Sequence, residues 1–402
     1  MGSTLEDLPA WAVDFTPVEA DRELARRSLV DTLAVTLAAA GEPIVARTAG
    51  LPPALRWAAI GHALDFDDVH LPSTSHVSVV CASATLAAGG GDREFLAAAG
   101  VMARLGTALG WAHYRRGWHA SCTAGAPAAA VAAALSLGLD AAGVTRAMAL
   151  AVPSAGGGQR AFGTEAKPLQ VGFAVDAGVR AARLAAAGAT ADPDALAEWF
   201  ELVGGEREVE LSGPVVPGGL AIKLFPCCYA LQRPIATARL FGTVPPEKVA
   251  SVQITVAEPV LQPLVDGRPR TGLEAKFSLP YAVVAALVDG FPTVASFTDE
   301  AVARPEVAKL LDRTTVHALP GGSGVLAGET TVEVRFADGT SERRTRTDIP
   351  AGTGELAAKV AGCVGTGRAA EISSAGWPDA ARILAAAYPA DEPPKSEERP
   401  CR

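Results

Sequence analysis

The sequence predicts a mainly α protein, with a large all-helical domain over residues 1–220 interrupted by a smaller α+β lid domain at 221–353 and resumed over 354–390. Three observations carry this. Up to about residue 220, apolar residues recur at helical spacing between Gly-rich breaks, and no convincing strand appears before residue 245. Beyond that point the pattern switches to period-two alternation with a hairpin signal. After residue 354 helical spacing returns.

Thr16-Pro17-Val18-Glu19 reads as a capping box with proline at the first helical position, opening a helix that carries Leu29, Leu33 and Leu37 and stops at Gly41. Glu94–Leu109, Ala126–Leu137, Gly143–Val152, Val171–Ala187 and Asp194–Phe200 also read as helices. Val249–Glu258 alternates, with Val252, Ile254 and Val256 on one face, as a half-buried strand does. Thr315–Leu319 is a candidate strand. Thr330–Phe336 and Ser341–Thr347 flank Asp338-Gly339, a dipeptide suited to the positive φ of a tight hairpin turn. Ser278–Val288 reads as a helix closed by Gly290, and Ala357–Val364 and Pro378–Ala387 as the returning helices. The tail from Asp391, rich in Pro, Glu, Lys and Arg, has the composition of a disordered segment.

The chain has 402 residues, 49% of them hydrophobic but only 5% aromatic, so its core is built from Ala, Val and Leu. Ala-rich faces suit closely packed helices. A formal charge of −9 argues against a nucleic-acid partner, which needs a basic stripe. Six cysteines (Cys81, Cys122, Cys227, Cys228, Cys363, Cys401) show no zinc or iron–sulfur spacing, and they read as reduced thiols in a cytoplasm. The N-terminus carries acid where a signal peptide carries base. Two uncharged runs, Val69–Gly91 and Gly117–Leu139, contain His, Pro and hydroxyl residues and read as buried helices, not membrane spans.

The segment His62-Ala-Leu-Asp-Phe-Asp-Asp-Val-His70, followed by His76, gathers three carboxylates and three imidazoles within fifteen residues of apolar surroundings. Such groups are costly to bury unless paired, and close Asp and His side chains shift one another's pKa values toward acid–base use. The alternative is a solvated helix face followed by a polar loop. Gly117–Gly125 places His119 just before an Ala-rich helix, where free backbone N–H groups favour an anion. Gly163–Gly172 places Lys167 at the entry of another apolar helix. Ala221–Tyr229 carries Lys223 in an apolar run at the domain boundary, and Ala275–Tyr281 precedes the helix of the α+β block. A lysine in such a run ordinarily snorkels to the surface.

Together, the LDFDD, GWH, EAKPLQVG, KLFPCC and AKFSLPYAV segments, in this order between residues 16 and 387, resemble the MmgE/PrpD family. That family includes 2-methylcitrate dehydratase, cis-aconitate decarboxylase and iminodisuccinate epimerase. The resemblance implies a helical domain with an α+β lid, a homodimer, no metal and no organic cofactor. By motif it implies catalytic roles for Asp65, His76, His119 and the lid tyrosine Tyr281. It implies that Lys167 and Lys223 hold substrate carboxylates, with Val69, His70 and Cys228 beside them. Three departures stand out: Val69 replaces a Thr of the decarboxylase-like members, His76 comes one residue later than theirs and lacks the following Pro, and Cys228 replaces a lid histidine.

The expected activity is therefore a cofactor-independent lyase, first a dehydratase of a 2-hydroxy di- or tricarboxylate acting through α-proton abstraction. Decarboxylation and epimerisation share the same anionic intermediate and stand as alternatives, with a catalytically inactive binding homologue behind them. The base is open among Asp65, His76 and His119, and Asp67 and Asp68 are expected to cap or pair within their segment.

Overall fold

The computed structural model describes residues 4–206, 208–265, 267–349 and 352–389; the tail expected to be disordered lies outside them. The first long helix, Glu19–Ala38, starts at Glu19 and not at Pro17. Its N-cap is Val18, whose N–H donates to the Asp21 carboxylate at 3.0 Å. The box is thus displaced by two residues from Thr16, whose hydroxyl turns back to the Asp14 carbonyl. Asp92–Arg115, Gly125–Ser136, Ala141–Ala151, Ala166–Ala186 and Ala195–Leu202 realise the other expected helices. Asp92–Arg115 alone among the described helices is long and apolar enough to cross a bilayer; it is mostly buried and kinks at Gly110.

Two helices that periodicity did not mark out, Pro53–His62 and Val77–Ala88, bracket the acidic segment. Val77–Ala88 is buried on almost every side, so its sequence carries no polar face to reveal a period. The helices pack tightly through small residues. A Cβ added at Gly178 would lie 2.5 Å from the Ala126 carbonyl and 2.6 Å from the Ala129 Cβ, so only glycine permits that approach of Ala166–Ala186 to Gly125–Ser136.

The α+β unit has its own core, in which Val252, Ile254 and Val256 of β1 (Val249–Ala257) meet Val283, Val284 and Leu287 of the helix Leu279–Asp289. With β2 (Thr314–Leu319), β3 (Thr330–Phe336) and β4 (Ser341–Arg346), the sheet order is β2-β1-β3-β4. β1 and β2 run parallel, and the other pairs are antiparallel. The β3–β4 hairpin turns at Asp338-Gly339, with Gly339 at φ +89°. Leu356–Val364, Thr366–Ser374 and Trp377–Ala387 then return to the helical core.

Candidate active site

Past its C-cap Ala63, the Pro53–His62 helix gives way to a turn at Asp65, which adopts φ +49°. Aspartate tolerates this left-handed conformation better than most non-glycine residues. The turn lets the Asp65 carbonyl and carboxylate face the same partner: Lys223 Nζ donates to Asp65 O at 2.7 Å and to Oδ1 at 2.6 Å. Lys167 Nζ approaches the same Oδ1 at 3.5 Å from the opposite chain segment. Burial pushes the Asp65 pKa up, but the two ammonium groups outweigh it and hold the carboxylate ionised, far below its usual range. Lys223 is raised, because Asp65 and Asp67 overcome its desolvation. Lys167, desolvated but more weakly paired, is lowered.

Asp67 Oδ2 accepts from His62 Nδ1 and from His76 Nδ1, both at 2.9 Å. A carboxylate can only accept, so both Nδ1 atoms carry the proton and both Nε2 atoms present a lone pair. His62 Nε2 uses its lone pair to accept from Lys167 Nζ at 2.6 Å. His76 Nε2 lies 3.5 Å from Asp65 Oδ1. Burial drives His76 down to about 3 despite Asp67, so the ring is neutral. Burial also raises the Asp67 pKa, but the two histidines reverse this and hold it well below the usual range. Asp68 faces elsewhere and accepts from the Ser78 backbone N–H and hydroxyl, capping Val77–Ala88; burial, with Asp31 nearby, pushes it up to about 7.

His119 is set differently. Gln170 Oε1 accepts from Gly158 N–H at 3.0 Å, which fixes the amide's orientation, and Gln170 Nε2 donates to His119 Nδ1 at 2.8 Å. The His119 proton is therefore on Nε2. Burial holds the ring neutral, well below the ordinary histidine value. Lys167 and Gln170 stand three residues apart, one turn of the same helix, so one face of Ala166–Ala186 serves both.

Asp65, Val69, His76, His119, Lys167 and Cys228 share one cavity between the helical and α+β units. It has about 30 Å³ of free space, room for roughly two waters. Tyr114, Phe162, Tyr229, Phe277 and Val325 are also in the wall, and no sequence pattern pointed to them. The rings of Phe162 and Phe277 lie 5.2 and 5.4 Å from Lys167 Nζ, so they support the ammonium as well as excluding water. Burial pushes the Cys228 thiol up to about 12.

Three expected residues do not reach the cavity wall. Lys223 lies behind Asp65, fully buried. His70 is held by Ser73 Oγ at 2.7 Å and the Pro217 carbonyl at 2.6 Å, away from the wall. Tyr281 packs into the α+β core against Phe297, and its hydroxyl donates to the Ser296 carbonyl, so its ring has no route to the cavity in this conformation. Two residues that the sequence did not assign a role are central instead: His62 and Gln170.

His62, Asp67 and His76 are the one group among the described residues whose ligand atoms, within 4.8 Å of one another, would suit a metal ion. Here the same atoms satisfy each other as two N–H···O hydrogen bonds. A larger cavity of about 790 Å³ lies across Phe66, lined by Leu224, Phe291, Val294 and Lys359. It is mostly apolar, and its charged lining residues, Arg239, Glu355 and Lys359, come without the histidines and paired carboxylates of the smaller cavity, so size does not make it the reaction site.

A helical scaffold and an α+β unit closing on paired carboxylates, neutral imidazoles and buried ammonium groups form the arrangement of an acid–base enzyme. The chain belongs to the MmgE/PrpD family: it matches the MmgE/PrpD N-terminal domain over residues 47–206 and the C-terminal domain over 225–361. It is 27% identical over 330 residues to a cis-aconitate decarboxylase of Aspergillus terreus, covering 70% of this chain and 67% of that protein. It is 26% identical over 224 residues to a cis-aconitate decarboxylase of Homo sapiens, covering 50% and 45% respectively, so it spans less than half of that relative.

Proposed function

We propose that this protein is a lyase that removes a proton α to a carboxylate using His76 as base, stabilises the resulting enediolate with Lys167, and expels a β-hydroxyl with the help of His119. The observation that carries this reading is the opposite tautomers of the two histidines. His76 offers a lone pair and His119 offers a proton, each fixed by a partner on its far nitrogen. Asp65 is the weaker candidate for base, because Lys223 and Lys167 stabilise its ionised form. Its role is to hold the two lysines. The entry of a substrate carboxylate adds negative charge to the cavity and raises the basicity of His76 toward the range useful for proton transfer.

Atoms balance without a co-reactant. The Cα–H pair becomes the Cα=Cβ bond, the Cβ–O bond breaks, the α-proton goes to His76, and the His119 proton leaves with hydroxide as water. A 2-hydroxy di- or tricarboxylate contains this unit, since its hydroxyl is β to a second carboxylate. Decarboxylation is the second reading, favoured by the relatives named as cis-aconitate decarboxylases. Against it, Val69 and Cys228 leave that part of the wall without the hydroxyl and imidazole of such members.

Incubation of candidate hydroxy acids in deuterated water, followed by NMR, tests the shared step. Solvent deuterium should appear α to the carboxylate, and the 2,3-unsaturated acid should accumulate. Release of carbon dioxide without exchange into the remaining substrate would favour decarboxylation instead.

A further inference from the structure

Two consecutive carbonyls of the acidic segment each accept from a buried ammonium group. Lys223 Nζ donates to Asp65 O and Lys359 Nζ donates to Phe66 O, both at 2.7 Å. The two lysines come from distant parts of the chain. Lys223 precedes the α+β core, whereas Lys359 lies in the returning helix Leu356–Val364, 293 residues beyond Phe66. Lys359 Nζ also lies 2.6 Å from Asp31 Oδ1, on Glu19–Ala38, and 4.0 Å from the Phe66 ring centroid. Its side chain is 3% exposed and that of Asp31 0%, so the pair is shielded from bulk water.

The Phe66 carbonyl belongs to the same planar peptide unit as the Asp67 N–H, so holding that oxygen fixes the plane from which Asp67 projects. The Asp67 side chain has little else to orient it. Its Oδ2 takes His62 and His76, while Oδ1 is buried with no hydrogen-bond partner among the described residues. Nor does close packing hold the segment from behind. Phe66 and Lys359 both line the cavity of about 790 Å³, so the segment borders free space on that side. A buried ion pair is by itself a weak source of stability, since apolar side chains of similar volume often serve as well. What an apolar side chain cannot supply is the N–H donated to Phe66 O.

Resting on the lyase reading above, we propose that Lys359 is a positioning residue of the active site: held by Asp31, it anchors the Phe66–Asp67 peptide and thereby aims Asp67 at the rings of His62 and His76. It does not itself line the catalytic cavity. Lys223 anchors the preceding peptide, so the bend at Asp65, with its positive φ, is fixed on both flanks. Without Lys359 the Phe66–Asp67 peptide is free to turn toward the larger cavity. Asp67 Oδ2 then leaves the imidazole N–H groups, and His76 loses the partner that keeps its lone pair on Nε2.

The test compares Lys359→Met, the double variant Asp31→Leu/Lys359→Met and Lys359→Arg with the wild type. The double variant removes both charges, which protects the fold from an uncompensated Asp31 carboxylate. Two readouts are taken: steady-state kinetics with citrate, 2-methylcitrate and malate, and nitrogen NMR of isotope-labelled histidines, which distinguishes Nδ1–H from Nε2–H rings. In the double variant kcat should fall about tenfold to a hundredfold, the cost of a small misplacement at a reacting group, while KM changes by less than about threefold. His62 and His76 should pass from Nδ1–H rings to a mixture of tautomers. Lys359→Arg keeps a donor and a charge, and the adjoining cavity has room for the longer side chain, so most of kcat and the wild-type tautomers should return. A folded double variant with wild-type kcat and tautomers would show that Lys359 serves stability alone and would overturn the inference. A loss of kcat with both tautomers unmoved would overturn it as well. If the wild type turned over none of these acids, the lyase reading would fail instead, and the tautomers would still decide the role of Lys359.

Discussion

The Nδ1 atom of His76 lies 2.9 Å from Asp67 Oδ2, and the same oxygen receives His62 Nδ1 at 2.9 Å. One carboxylate thus fixes the tautomer of two rings. One ring is turned to the cavity, and the other is turned to the lysine that would hold the substrate. Asp67, expected from sequence to serve within its own segment, orients the proposed base and steadies Lys167 through His62.

Asp67→Asn keeps the side chain's size and removes the charge that orders both rings. Turnover should fall by roughly two to four powers of ten, with the acidic limb of the pH–rate profile displaced, while the fold persists. A variant with normal kcat and an unmoved pH profile would show that Asp67 only packs.

His119→Ala should cost a similar two to four powers of ten in kcat, the usual worth of a positioned acid. Gln170→Leu removes the donor that holds the His119 proton on Nε2, and it should lower kcat in the same direction with KM little changed. If Gln170→Leu matched the wild type in steady-state kinetics, the tautomer assignment would lose its support.

The two lysines should separate in their effects. Lys223 is fully buried and is the nearer ionic partner of Asp65, so Lys223→Ala leaves that buried carboxylate with only Lys167, 3.5 Å away, and should cost about 3–5 kcal/mol of folding stability. Asp65→Asn, which retains tolerance of positive φ, should recover part of that loss in the double variant. Lys167→Ala should chiefly weaken substrate turnover. Urea denaturation of these variants against the wild type, with steady-state kinetics of Lys167→Ala, measures both statements, and equal stability losses for the two lysine variants would contradict them.

Acid should destabilise the protein well before Asp65 and Asp67 titrate. His62, His70, His76, His113 and His119 all have lowered pKa values, because burial resists their charging. Below about pH 6.5 the unfolded chain binds protons at these rings that the folded chain refuses, so stability falls by about 1.4 kcal/mol per proton per pH unit. Asp31 and Asp68, raised by burial, bind protons preferentially when folded and offset part of this between about pH 4 and 7. Asp65 and Asp67, held low, contribute stability above about pH 4 that is lost as pH falls through their folded values. The histidines outnumber the raised carboxylates, so the denaturation midpoint should be higher at pH 7 than at pH 5. A flat midpoint across that interval would show that the rings charge in place.

Chelators should leave activity unchanged, since His62, Asp67 and His76 are satisfied by one another's hydrogen bonds. Loss of activity with 1,10-phenanthroline and its recovery with zinc would replace those two bonds by metal ligation. Cys228→Ala should likewise retain most activity, because a thiol pushed up to about 12 by burial packs as a small apolar group.

Much of this protein was legible in its amino-acid order. The leucine spacing of Glu19–Ala38, the alternation in β1 and the Asp-Gly turn between β3 and β4 are local patterns, and local sterics and burial enforce them. The clustered Asp and His of residues 62–76 also marked the candidate site, because a folded core does not keep such groups without partners. Only the tertiary structure decided which partners. Lys167 meets His62 across 105 residues and Lys223 meets Asp65 across 158, and nothing in a local window encodes such pairings. The positive φ of Asp65 then turns its carboxylate onto both lysines, leaving one ammonium at the wall where the sequence alone suggested two. Tyr281 and His70 carry suitable chemistry, but their hydroxyl and ring nitrogens are taken by Ser296, Ser73 and Pro217. Residue type marked the candidates; packing decided which of them reach the cavity.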